Sequence, residues 1–268
     1  MIRTPRDIES NFRKTLGIIN PLMCIADISL KELESNLEEM PLSNLTNKHK
    51  HNRLSVENIK ITDALLYVHL AHITYINSRA ESFCNEVIKL TNMLTKNSDS
   101  YDIDPTDKLR KTIILIQAKK KKVSKTTRKL DESVYIKFCG QAELLIVDYF
   151  RKLRNIEMHE SSKSNELNFE CTPQERIEIM KKFKHSPNDW ETLNIRDVIL
   201  YSQAWQSLAV NLCSNIVDID NGFLNKLKKK YANDDKVRRD NAIRQKLRQD
   251  YLQPVHIVSM LEHNGWVA

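Results

Sequence analysis

The residues of this chain best suited to chemistry are Arg154-Asn155-Ile156-Glu157-Met158-His159. On an ideal helix Arg154 and His159, five residues apart, lie about 140° from each other, so the guanidinium must reach around the helix to meet the imidazole. Asn155 and His159 are four apart and share a face, and Arg151 extends that row by one turn. A guanidinium, an amide and an imidazole can thus converge on one anion. Phosphodiester cleavage without a metal needs this set: histidine moves a proton near neutral pH, and arginine holds the phosphate and stabilises the charge that develops on it. The competing reading is structural: basic side chains at the end of a helix simply complement its dipole.

The element that must position these groups is apolar. A helix is expected over 132–158, opened by Asp131-Glu132-Ser133 and carrying Val134, Phe138, Ala142, Leu145, Ile146, Tyr149, Phe150 and Leu153. Leu144-Leu145-Ile146-Val147 is apolar on all sides, which places this helix centrally. Glu143 and Asp148 precede the motif and could orient it, although Asp148 is also spaced to pair with Lys152. A polar, Ser- and Asn-rich loop is expected from Glu160 to Cys171.

Charge is concentrated just before the motif. The formal net charge is +7, and residues 101–154 hold 14 basic and 7 acidic side chains, whereas the stretches before and after are balanced. Lys119, Lys120, Lys121, Lys122, Lys125, Arg128 and Lys129 form the densest part, and with Arg151 they are the candidate nucleic-acid contacts. Clustered cations attract a polyanion through counterion release, so nucleic-acid binding is expected, with a solvated helix face as the plain alternative. A second basic stretch runs from Lys226 to Arg248.

The remaining elements also read as helices. Residues 5–39 form one or two helices with a break expected at Asn20-Pro21, and Phe12, Leu16, Ile19, Leu22, Ile25 and Ile28 at helical spacings. Ser29 and Glu32 are spaced as a capping box for a short helix. Residues 40–57 read as a polar connector. A long helix follows from Ser55 to about Lys96, with Ile61, Leu65, Val68, Ile76, Ala80, Phe83, Val87, Leu90 and Leu94 on one face and His72 as the polar exception. Asp104 with Pro105 reads as a helix start, and a basic helix then runs through Ile113–Ile116. Thr172-Pro173-Gln174-Glu175 carries a capping Thr, a first-turn Pro and a Glu at the third position, and the short helix it opens should stop near His185-Ser186-Pro187. Another apolar helix begins at Thr192 or Asn194. Residues 222–250 read as a charged, exposed helical tail, and Val255–Val267 as a last apolar piece.

Composition agrees with an all-α fold, a multi-helix bundle with one or two long helices. Four glycines in 268 residues leave few positions for tight hairpins. The five cysteines are scattered with no CxxC pair, so neither a disulfide framework nor a structural zinc site is expected. His69 and His72 lack a third ligand at metal spacing. No glycine-rich phosphate loop is present, so no cofactor or metal is expected. No apolar run approaches a signal peptide or a membrane span, and a cytoplasmic protein without membrane partners is expected.

The Arg154–His159 segment resembles the signature of the HEPN superfamily, an Arg followed by a polar residue and then His after four to six intervening residues. Here Asn155 directly follows Arg154 and four residues intervene. The resemblance covers about seven residues and the helical context. It implies a helical-bundle core, metal-independent endoribonuclease activity, and a homodimer in which two motifs form one composite cleft. It assigns His159 as the catalytic histidine, Arg154 as the catalytic arginine and Asn155 as the positioning residue, with RNA as substrate. It also implies a role in prokaryotic antiviral defence or as a toxin with an antitoxin or activator partner. One departure is Ser161, which stands where the smallest toxins of the family carry a tyrosine, so control through that tyrosine is not implied. The organisation expected is an N-terminal helical extension over 1–57, a HEPN-like bundle over 58–220 and a charged helical extension over 221–268, all of which can also form one domain. A non-catalytic helical scaffold that binds nucleic acid or a protein is the rival reading.

Overall fold

The structure, a computed structural model, describes residues 4–51, 54–95, 107–120, 122–124, 127, 129–158 and 167–263. Among these residues it is all-α, with eleven α-helices and no strand. In chain order they are α1 (Pro5–Ser35), α2 (Leu42–Lys48), α3 (Ile61–Thr95), α4 (Lys108–Lys119), α5 (Glu132–Cys139), α6 (Gln141–Met158), α7 (Pro173–Phe183), α8 (Ile195–Ser214), α9 (Asn221–Lys230), α10 (Lys236–Gln249) and α11 (Val255–His263). No helix among the described residues is long and apolar enough to cross a membrane.

Local signals set several helix starts. Thr172 and Glu175 make the full capping box ahead of α7: the Glu175 amide donates to Thr172 Oγ1 at 3.3 Å, and the Thr172 amide donates to Glu175 Oε2 at 2.8 Å. Asp131 caps α5 by accepting from the Ser133 amide at 2.9 Å. Asp107 caps α4 by accepting from the Arg110 amide at 3.1 Å. The start expected at Asp104-Pro105 lies outside the described residues.

Four expectations are corrected. First, α1 runs unbroken through Pro21. An internal proline costs about 3 kcal/mol in a helix, but Ile8, Phe12, Leu16 and Met23 are buried along one side and hold the helix together. Ser29 therefore caps nothing; it sits inside α1 and donates to the Ile25 carbonyl at 2.7 Å. Second, the polar connector at 40–57 contains α2 and a 3-10 turn at Val56–Asn58. Third, the helix expected over 132–158 is two helices. Gly140 ends α5 with φ +91° and ψ 142°, a conformation essentially confined to glycine. Fourth, residues 222–250 are not a bare tail. Leu224, Leu227, Ile243 and Leu247 are buried with Val258 and Leu261 in one apolar cluster formed by α9, α10 and α11.

The chain divides into two compact units. Unit 1 comprises Met1–Arg13, Arg79–Leu144 and Trp205–Ala268. In it the Phe12 and Phe83 rings stack at 4.5 Å and Trp205 meets Phe12 edge-on at 6.3 Å. The α5–α6 corner is pinned by Asn211, whose Nδ2 donates to the Cys139 carbonyl at 2.9 Å, and by a hydrogen bond from Ser207 to buried Glu143.

Unit 2 comprises Lys14–Ser78 and Leu145–Ala204. Phe150 packs on Tyr201 at 5.0 Å, and Tyr201 donates to Asn77 Oδ1 at 3.1 Å. Asp27 of α1 lies 3.1 Å from His69 Nε2 of α3, in a buried pair. Asp197, fully buried in the first turn of α8, accepts from the Asn188 amide and side chain and from the Asn194 amide, and lies 3.0 Å from His185 Nε2.

Candidate functional site

Helix α6 is anchored by its apolar row. Tyr149, Phe150 and Leu153 are buried, Tyr149 packs edge-on against Phe169 at 5.3 Å, and its hydroxyl donates to the Asn188 carbonyl at 2.7 Å. Burial, and then the charges of Asp189 and Asp197, push the Tyr149 phenol well above its usual value, so it is neutral and serves as a donor. This anchoring fixes the rotation of the last turns of α6 and therefore the direction of the polar residues on them.

Those polar residues are Arg151, Arg154 and Asn155, all half-buried. They are spaced i, i+3 and i+4, so they occupy one strip of the helix. Arg154 Nη1 donates to Asn155 Oδ1 at 2.9 Å. Arg151 Nη2 lies 3.5 Å from Asp148 Oδ1, so Asp148 is joined to Arg151. Glu143, the other acid considered for orienting the motif, is engaged by Ser207 instead. Helix α6 is assigned to Met158, and His159 lies outside the described residues. The structure thus brings together the arginine and the amide of the motif and says nothing of its imidazole.

A cleft of about 270 Å³ borders a neighbouring side of α6, lined by Leu145, Asp148, Tyr149 and Lys152 and by residues 167–170. Its volume falls just below the roughly 300–1,000 Å³ typical of small-molecule sites. Neither Arg154 nor Asn155 lines it.

The basic segment belongs to unit 1 and is only partly outward-facing. Lys119 is buried at the end of α4. Lys120 donates to the Asn215 carbonyl at 2.6 Å and to Asp218 Oδ1 at 2.8 Å, and Lys122 lies 3.3 Å from the same carboxylate oxygen. Burial pulls the Lys120 ammonium below its usual value, partly offset by the bond to Asp218. Asp218 loses some solvation itself, but the bond and charge of Lys120, with Lys122, hold it below the usual carboxylate range. Lys122 and Lys129 are exposed, while Lys121, Lys125 and Arg128 lie outside the described residues. The internal role of Lys120 was invisible in the sequence because its partner stands 98 positions away.

The other candidates resolve as structural groups. Cys84, Cys139 and Cys213 are buried, and burial pushes the Cys84 thiol up to about 12, which leaves it inert. His69 is paired with Asp27, and no group of three side chains among the described residues could hold a metal. No protein-family model matches the chain, and neither a curated protein nor a solved structure matches it.

Proposed function

We propose that this protein is a HEPN-like, metal-independent endoribonuclease. The ribose 2′-hydroxyl attacks the adjacent phosphorus, the P–O5′ bond breaks, and the products are a cyclic phosphate and a 5′-hydroxyl. His159 takes or gives the proton, Arg154 clamps the phosphoryl oxygens and Asn155 positions Arg154. The observation that carries this reading is the bond from Arg154 to Asn155 beside Arg151, on one half-buried strip at the end of a firmly anchored helix. The resemblance adds the homodimer and a role in antiviral defence or beside an antitoxin or activator, and the apolar pattern of the sequence adds the cytoplasmic setting.

The test is incubation of the purified protein with total RNA in EDTA, beside His159→Ala and Arg154→Ala. Cleavage by the wild type alone supports the proposal, and equal inactivity of all three removes it.

A further inference from the structure

The rotation of α1 within unit 2 is fixed on one side and open on the other. Leu16 and Met23 are buried, and Asp27 pairs with His69 of α3 at 3.1 Å while also accepting from Lys31 at 2.8 Å. At 100° per residue these three side chains point within about 40° of one another. The opposite face carries Ile18 (61% exposed), Leu22 (54%), Ile25 (61%) and Ile28 (58%), a continuous apolar stripe facing solvent. Isolated exposed apolar residues need no explanation, but four in register over three turns of one helix do.

The stripe is symmetric about Met23, and its ends are oppositely charged. Exposed Lys14 lies one turn before Ile18 on the same face, and exposed Glu32 lies one turn after Ile28. Laid antiparallel on a second copy, Ile18 meets Ile28, Leu22 and Ile25 meet near the axis, Lys14 meets Glu32, and Gly17 meets Ser29. Among the described residues, nothing beyond the helix's own local backbone and the two chain neighbours lies within 4 Å of a Cβ placed on Gly17, so that point also allows close approach. A parallel arrangement would instead set Lys14 against Lys14. Helix α1 carries acidic Asp7, Glu9, Asp27, Glu32 and Glu34 against basic Arg6, Arg13, Lys14 and Lys31, a balance that does not favour an anionic membrane surface.

We infer that the exposed face of α1 is an isologous docking surface for a second copy of this chain, with two α1 helices packed antiparallel across a two-fold axis. The stripe contains none of Arg154, Asn155 or His159, so this pairing is separate from the composite cleft of the resemblance and does not rest on the nuclease reading. One helix face from each copy gives an interface near the lower limit of specific pairs, roughly 1,000–1,200 Å² in total, the size of pairs that form and separate readily.

Sedimentation of the full chain across micromolar concentrations tests this, beside Leu22→Glu/Ile25→Glu, Lys14→Glu, Glu32→Lys and the combined Lys14→Glu/Glu32→Lys. Circular dichroism checks that each variant keeps its helices. The wild type should self-associate through α1 whether or not the composite cleft also pairs two copies, the double glutamate variant should lower the assembly by one step and weaken this pairing by at least about 100-fold, each single charge change should weaken it, and the combined swap should restore it. Three results would overturn the inference: a wild type monomeric throughout, a dimer indifferent to Leu22→Glu/Ile25→Glu, or a monomer that binds neutral vesicles through this stripe. RNA cleavage is read separately on the same samples, so failure of the pairing and failure of the nuclease reading give different results.

Discussion

The Arg154 guanidinium donates from Nη1 to Asn155 Oδ1 at 2.9 Å, between adjacent residues on the last turns of α6. Adjacent side chains on a helix diverge by about 100°, so they meet only when one bends toward the other. The bond therefore turns the two side chains toward each other within the strip that also holds Arg151. Asn155→Ala should remove one hold on Arg154 and lower turnover on RNA by roughly tenfold, with a smaller change in KM, because a looser clamp loses transition-state contact more than ground-state binding. Steady-state kinetics on a short RNA check the split.

Gly140→Ala should destabilise the protein by about 1–3 kcal/mol, from the positive φ alone. The added Cβ would also come within 3.5 Å of Asn211 Nδ2 and closer still to the Glu143 carboxylate. Thermal unfolding of the variant should show a lowered Tm.

Asp197→Ala should cost about 3 kcal/mol or more, since it leaves the Asn188 and Asn194 amides and the His185 ring without their buried acceptor. Denaturant unfolding should shift its midpoint with little change in m.

Burial, and then the neighbouring His69, lower the pKa of His72 below its ordinary 6.5. The unfolded chain therefore takes up this proton first as pH falls, which favours unfolding. The stabilisation is complete above about 6.5 and is lost as pH drops from there towards the folded-state value. In His72→Gln the difference in urea midpoint between pH 7.5 and 5.5 should shrink relative to the wild type.

Exposed Lys122 and Lys129 should contribute to RNA affinity, each substitution by Ala reducing the salt slope by about one or less. Lys120→Ala should lower stability instead and leave the slope nearly unchanged, because that ammonium is committed to Asn215 and Asp218. RNA titrations at several salt concentrations separate the two effects.

Legibility in the sequence followed the range of the interaction. The capping box at Thr172 and Glu175 and the cap at Asp131 were readable because their partners stand two or three residues away. The continuity of α1 through Pro21 was not, since burial of Leu16 and Met23 overrides the local cost of proline. The α5–α6 corner depends on Asn211 reaching Cys139 from 72 residues away, and a lone glycine inside an apolar pattern did not announce it. The spacing of Ile18, Leu22, Ile25 and Ile28 marked a helix, but their exposure depends on which face Asp27 and His69 turn inward. For the motif, spacing alone placed Arg151, Asn155 and His159 in one row and left Arg154 to reach around the helix, whereas the bond from Arg154 to Asn155 needed coordinates.

The most direct measurement is single-turnover cleavage of one short RNA in EDTA, run beside the same strand with 2′-O-methyl groups. Cyclic-phosphate ends are expected from the unmodified strand and none from the methylated one, with loss of cleavage in both His159→Ala and Arg154→Ala. Cleavage of the methylated strand, or wild-type activity retained by either variant, would contradict it.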